Sequence, residues 1–187
     1  MPDLDEIMAF MKINNTLKYE QPFILKIMVP CVQSDLDAGS IRAIRFLFDC
    51  NDGHRVGTDK DYVYMFCFDS DTEYRPIDLA DMVLAKEPDN EGVLHYKYIL
   101  LGSFLRYSLH EIPLGVLSGI DGTKEEKMAD MNTSLREFVA LSERLGKDDK
   151  DLIQECTIMY AAYEQYLDHA KNYSNFEDYL IKHNIPY

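Results

Sequence analysis

Apolar positions recur every three and four residues over much of this chain, and that spacing predicts helices. The longest run spans Asp148 to Tyr173. Leu152, Cys156, Met159, Tyr163, Tyr166 and Ala170 fall on one face, with Ile153, Tyr160 and Leu167 beside them. No charged residue occurs from Cys156 to Tyr163, so the middle of this helix is expected to be covered on most sides, with Met159 deep in the core. Before it, Met128, Met131, Leu135, Phe138, Ser142 and Leu145 keep heptad-like spacing, and Gly146 is a natural stop. Thr123 with Glu126 would cap that helix. The two helices are expected to form an antiparallel hairpin across a short turn.

Upstream, Leu94, Tyr98, Leu101, Leu105 and Leu109 predict a buried helix over 91–109, with Gly102 a weak point inside it. Pro76 suits the first position of a helix that carries Leu79, Met82 and Val83. Asp3 with Glu6 reads as a capping box for a short helix ending near Lys12. Residues 35–49 fit either period. The helix is favoured because it gathers Arg42, Arg45 and Asp49 on one side. Ser174 with Glu177 opens a last short helix to about His183, and the stretch from Tyr173 to Tyr187 is expected to be the most exposed.

Two runs read instead as strands. Residues 23–29 are apolar apart from Lys26 and lie between Pro22 and Pro30. Residues 62–68, YVYMFCF, are aromatic-rich and short. The expected fold class is therefore α+β, mainly helical: a C-terminal helical hairpin packed with the 91–109 helix and a small antiparallel sheet. The organisation expected is a single domain over 1–187, with an α/β part at 1–90 and a helical part at 91–187.

Composition narrows the function classes. The chain has 187 residues, 47% of them hydrophobic, enough for a real core. No apolar run reaches the roughly 18 residues of a membrane span, and the acidic start lacks the charge pattern of a secretory signal. A cytoplasmic protein is expected. Cys31, Cys50, Cys67 and Cys156 fit no zinc spacing and read as small core residues.

The formal net charge is −14. Residues 61–93 hold nine acids against Arg75 and Lys86, which is half of that excess. Such a balance opposes direct binding of nucleic acid or anionic lipid. It favours a protein partner with a basic surface.

Three kinds of chemistry are open to these residues. Asp69, Asp71 and Glu73 follow the expected strand, where alternate carboxylates point one way. Joined by Asp49 and Asp52, they could hold Mg²⁺ or Mn²⁺ and serve a metal-dependent phosphoesterase or nuclease. His54, in a Gly-containing loop, could act as a general acid or base, though a plain turn explains it better. His110-Glu111 does not complete HExxH, and Ser118 is one place late for G-x-S-x-G. The third is an interaction surface on the acidic segment, built from Asp69, Asp71, Glu73, Asp78, Asp81 and Glu87.

The leading expectation is a non-catalytic interaction or regulatory protein, in its sharpest form an inhibitor that engages a basic surface of a nucleic-acid-binding partner. A metal-dependent enzyme is second and a structural subunit of a larger assembly third. No cofactor is expected outside the metal reading, and nothing in the sequence sets the oligomeric state.

Overall fold

The computed structural model describes residues 3–14, 19, 21–51, 56, 61–69, 73–113, 116–117, 120–121 and 125–187. It is a helical protein. The expected α+β class with an antiparallel sheet is overturned, because both predicted strands are helices. Strand pairing among the described residues is limited to Val116–Leu117 (β1) against Ile120–Asp121 (β2). The chain divides into two compact units, Met1–Ile99 and Leu100–Tyr187, and the division falls inside one helix.

In the first unit, Leu4–Ile13 (α1) begins with the expected reciprocal cap. The Asp3 carboxylate accepts from Glu6 N–H at 2.8 Å, and Glu6 accepts from Asp3 N–H at 3.2 Å. The first predicted strand is a continuous helical segment. Gln21–Phe23 (α2) passes through a π-helical turn, Ile24–Met28, into Val29–Asp37 (α3). Val29 N–H bonds back five residues to the Ile24 carbonyl. This wide turn lies just before Pro30, whose ring would clash with the carbonyl four residues back in a regular helix. Ile24, Met28, Cys31, Val32 and Leu36 are buried at helical spacing, whereas Lys26 is exposed.

The ambiguous stretch 35–49 is not one helix: 35–37 end α3, a turn with Gly39 at φ +73° follows, and Arg42–Cys50 (α4) is a helix that buries Ala43, Ile44, Leu47 and Phe48 and exposes Arg42, Arg45 and Asp49. The second predicted strand is Tyr62–Asp69 (α5). Tyr62, Val63, Phe66 and Cys67 are buried while Tyr64 and Phe68 face out, a period of nearly four rather than two. Pro76–Lys86 (α6) starts at its proline as expected and buries Leu79, Ala80 and Val83. Glu91–Glu111 (α7) closes this unit with its first turns and opens the second with its last.

In the second unit, Glu125–Arg144 (α8) and Lys150–His169 (α9) run antiparallel. Asn132 Nδ2 donates to Glu164 Oε1 at 2.6 Å, and Ser142 Oγ donates to the Asp149 carboxylate at 2.8 Å beside the turn. Gly146 makes that turn at φ +63°, a left-handed backbone that a side chain would strain. Met128, Met131, Leu135 and Phe138 of α8 and Cys156, Met159, Tyr160 and Tyr163 of α9 are buried. Phe176–Lys182 (α10) is capped by Asn175 rather than Ser174, through Asp178 N–H to Asn175 Oδ1 at 2.8 Å. It buries Phe176, Tyr179 and Leu180, so the C-terminal stretch is a packed element. Thr123 lies outside the described residues, as do the side chains of Glu125, Glu126 and Lys127.

Candidate functional site

A buried polar network forms in the first unit. Asp61 precedes α5, and its Oδ1 accepts from Tyr64 N–H at 3.0 Å, which makes it the helix cap. The same oxygen accepts from Asn51 Nδ2 at 2.7 Å. Its other oxygen accepts from Tyr96 Oη at 2.8 Å. Asn51 in turn accepts from Tyr62 N–H at 3.1 Å. Asp61 is 0% exposed, and Asn51 and Tyr96 are 1% exposed. Burial, then the Asp61 charge, pushes the Tyr96 phenol well above its ordinary range. The network joins the end of α4, the start of α5 and α7. It tethers helices, and every donor named has an acceptor. The sequence pattern alone does not single out Asp61 as this structural hub. An aspartate directly before an apolar run was the available signal.

Three carboxylates of the acidic segment are paired inside the first unit. Asp78 takes a two-pronged contact from Arg75, with Nη2 to Oδ1 at 2.7 Å and Nε to Oδ2 at 3.0 Å. Those hydrogen bonds hold its carboxyl below the usual range. Asp81 accepts from Lys97 Nζ at 2.5 Å, and that lysine side chain is only 10% exposed. Glu87 pairs with Arg45 at 3.0 Å. Glu73 is exposed. Asp71 lies outside the described residues, as does the side chain of Asp69.

Of the residues of the metal reading, Asp49, Asp69 and Glu73 lie in the described part of the chain. Asp49 is on α4, and Asp69 ends α5. Asp52 and Asp71 are outside the described residues, and so is His54. The strand that motivated the reading is a helix, Tyr62–Asp69, so the two-residue alternation it was drawn from is absent from that run. Among the described residues, no group of three or more His, Cys, Asp or Glu side chains is placed to hold a metal ion. No described helix is long and apolar enough to cross a membrane.

The second unit carries its own buried polar chain. Ser108 Oγ donates to the Leu105 carbonyl at 2.8 Å, so Tyr160 Oη donates to Ser108 Oγ across 2.5 Å. A side-chain hydrogen bond links Tyr160 to Cys156. Burial pushes the Cys156 thiol up to about 11. Burial does the same at Cys50, to about 11, and at Cys67, to about 12, with Asp61 adding to the rise at Cys67. These thiols stay protonated near neutrality and are poor nucleophiles.

The exposed surface of α9 is different in kind. From Asp151 to His169 the helix carries Asp151, Glu155, Glu164 and Asp168 and no lysine or arginine. All four are exposed. Ile158, 41% exposed, lies on the side of Asp151 and Glu155, whereas Glu164 and Asp168 fall on the opposite side, where Glu164 meets Asn132 of α8. Glu155, Ile158 and Met159 also form one wall of a groove of about 310 Å³, completed by Leu109 of α7 and by Pro186 and Tyr187.

Compared with protein-family models, with curated proteins and with solved structures, the chain matches none.

Proposed function

We propose that the protein is a non-catalytic interaction protein whose surface carboxylates engage a basic surface of a partner, such as the phosphate-binding face of a nucleic-acid-binding protein that it would inhibit. The observation that carries this reading is the sorting of ionisable groups. Inside, Asp61 caps and tethers, and the thiols of Cys67 and Cys156 are held protonated by burial. Outside, four carboxylates line α9 with no lysine or arginine among them after Lys150. Asp151 with Glu155, and Glu164 with Asp168, are like charges four residues apart, and each pair destabilises the helix by a few tenths of a kcal/mol. A basic partner relieves that repulsion and is steered toward it.

The acidic segment at 61–93 contributes less free charge than its composition suggests, because Asp78, Asp81 and Glu87 already have basic partners. The weight of the proposal therefore falls on α9.

The test is capture from a lysate of the native host. Immobilised protein should retain a basic protein, and salt should release it. Asp151→Asn/Glu164→Gln/Asp168→Asn should lose it, and Asp78→Asn/Asp81→Asn/Glu87→Gln should keep it. Glu164→Gln leaves an acceptor for Asn132. Equal retention by both triple variants, or retention that salt does not weaken, contradicts the proposal.

A further inference from the structure

The geometry points to the groove beside α9 as the seat of a basic amphipathic segment of the partner, with an apolar side chain set against Ile158 and Tyr187 and a lysine or arginine on Glu155. This inference rests on the acidic-partner reading above and gives it an address.

The groove is built from three places in the second unit: Leu109 near the end of α7, Glu155, Ile158 and Met159 on α9, and Pro186 with Tyr187 after α10. Its floor and walls are apolar except for Glu155. Tyr187 is held in place because its hydroxyl donates to Glu177 at 2.8 Å. Even so, Tyr187 is 57% exposed and Ile158 41% exposed, so apolar surface faces water beside a concavity. A volume of about 310 Å³ is at the low end of small-molecule pockets, which run from about 300 to 1,000 Å³. It suits one or two side chains of a docked segment, as in helix-in-groove recognition.

Charge selects among possible occupants. Glu155 makes no hydrogen bond or ion pair among the described residues. Asp151 lies one turn earlier on the same exposed face, and Glu177 stands at the Tyr187 hydroxyl. The basic residue one turn before Leu109 is Arg106. Its guanidinium folds back along α7, with Nη1 3.2 Å from where a Cβ on Gly102 would stand. A neutral apolar segment would cover Glu155 and leave its charge desolvated without a partner. An acidic segment would be repelled. A basic amphipathic segment fills the apolar walls and forms a charge-assisted hydrogen bond at the rim.

The full-length protein is titrated into a fluorescein-labelled synthetic peptide with leucines along one helical face and lysines on the other. Two controls accompany it: the same residues scrambled, and glutamates in place of the lysines. Saturable anisotropy is expected with the amphipathic basic peptide alone. Ile158→Asp should weaken it about tenfold or more, as expected for an anchor residue at the centre of a contact. Ile158 is partly exposed, so folding should survive, and far-UV circular dichroism checks this. Glu155→Lys, at an exposed position, is the second probe and should shift preference toward the glutamate peptide. Equal binding of the scrambled peptide, or unchanged binding by both variants, overturns the groove while leaving a diffuse acidic attraction in place. Binding of no peptide overturns the groove as well, and the lysate capture with the α9 triple variant, which retains Glu155, then judges the parent reading separately. Self-association in sedimentation that Ile158→Asp removes would make a second copy the occupant and also overturn the inference.

Discussion

Tyr96 Oη donates to Asp61 Oδ2 at 2.8 Å, and both side chains are shut off from solvent. Asp61 is the hub of the first unit, since it also caps α5 and accepts from Asn51. Asp61→Ala removes the cap and leaves Asn51 and Tyr96 without their buried acceptor. A lost cap costs about 1 kcal/mol, and each buried polar group left unsatisfied about 1–3 kcal/mol. Urea denaturation should show a loss of roughly 3 kcal/mol or more. Tyr96→Phe should cost about 1.5–3 kcal/mol, the range for a hydrogen bond to a charged group. A change within about 0.5 kcal/mol for Asp61→Ala, typical of surface substitutions, would show that the hub is not structural.

Stability should decline on the alkaline side. Tyr96 and Tyr160 are raised from 10.0 by burial, and Cys67 and Cys156 from 9.0 to about 12 and about 11. As pH passes the ordinary values, the unfolded chain loses these protons first while the folded chain keeps them. The stabilisation is thus complete below pH 9 and falls as pH rises through 10 and beyond. Tyr96→Phe should flatten the part of the decline above pH 10. Unfolding free energy that is level from pH 9 to pH 11 would contradict the burial of these groups.

Gly102 gives a test of packing in the second unit. In an isolated helix, Gly→Ala would gain about 0.8–1.0 kcal/mol. Here the new Cβ would stand 3.0 Å from Phe138 Cε2, and Phe138 is 0% exposed, so it has little room to retreat. Overpacking typically costs about 1–3 kcal/mol and should outweigh the gain. Gly102→Ala should therefore lower the melting temperature. A rise would mean that α7 and α8 pack less closely there.

Met159 tests the helical hairpin. It is 5% exposed, with Tyr160 and Tyr163 buried beside it on α9. Met159→Ala should cost about 2–5 kcal/mol, read by chemical denaturation. A loss below about 0.5 kcal/mol would place this face of α9 at the surface.

Helices with mixed faces were legible in the sequence. On α1 the Asp3–Glu6 cap and on α4 the grouping of Arg42, Arg45 and Asp49 announced the element. The two helices read as strands share one cause. Runs that are apolar on nearly every position carry no usable period, and aromatic content then favours a strand. In α5 the outward Tyr64 and Phe68 stack on each other at 4.1 Å, so the exposed face is as aromatic as the buried one. Pro30 looks like a boundary in the sequence, but the π-turn before it lets the helix pass. The acidic segment could be counted from sequence, but its pairing could not. Asp81 and Glu87 meet Lys97 and Arg45, bases that lie on other helices. The Ser108–Tyr160 link likewise joins residues far apart in the chain, and local patterns do not reveal such pairs.

The proposal that the α9 carboxylates engage a basic partner is tested most directly by the association rate with the captured partner, followed against ionic strength. Exposed charges are screened beyond about 8 Å at physiological salt. The on-rate of the native protein should therefore fall steeply as salt rises. Asp151→Asn/Glu164→Gln/Asp168→Asn should associate more slowly with a flatter salt dependence, while Asp78→Asn/Asp81→Asn/Glu87→Gln, which removes the same formal charge from paired carboxylates, should follow the native curve more closely. Identical curves for the two triple variants would show that the location of the charge does not matter, and that α9 presents a solvated face rather than a recognition surface.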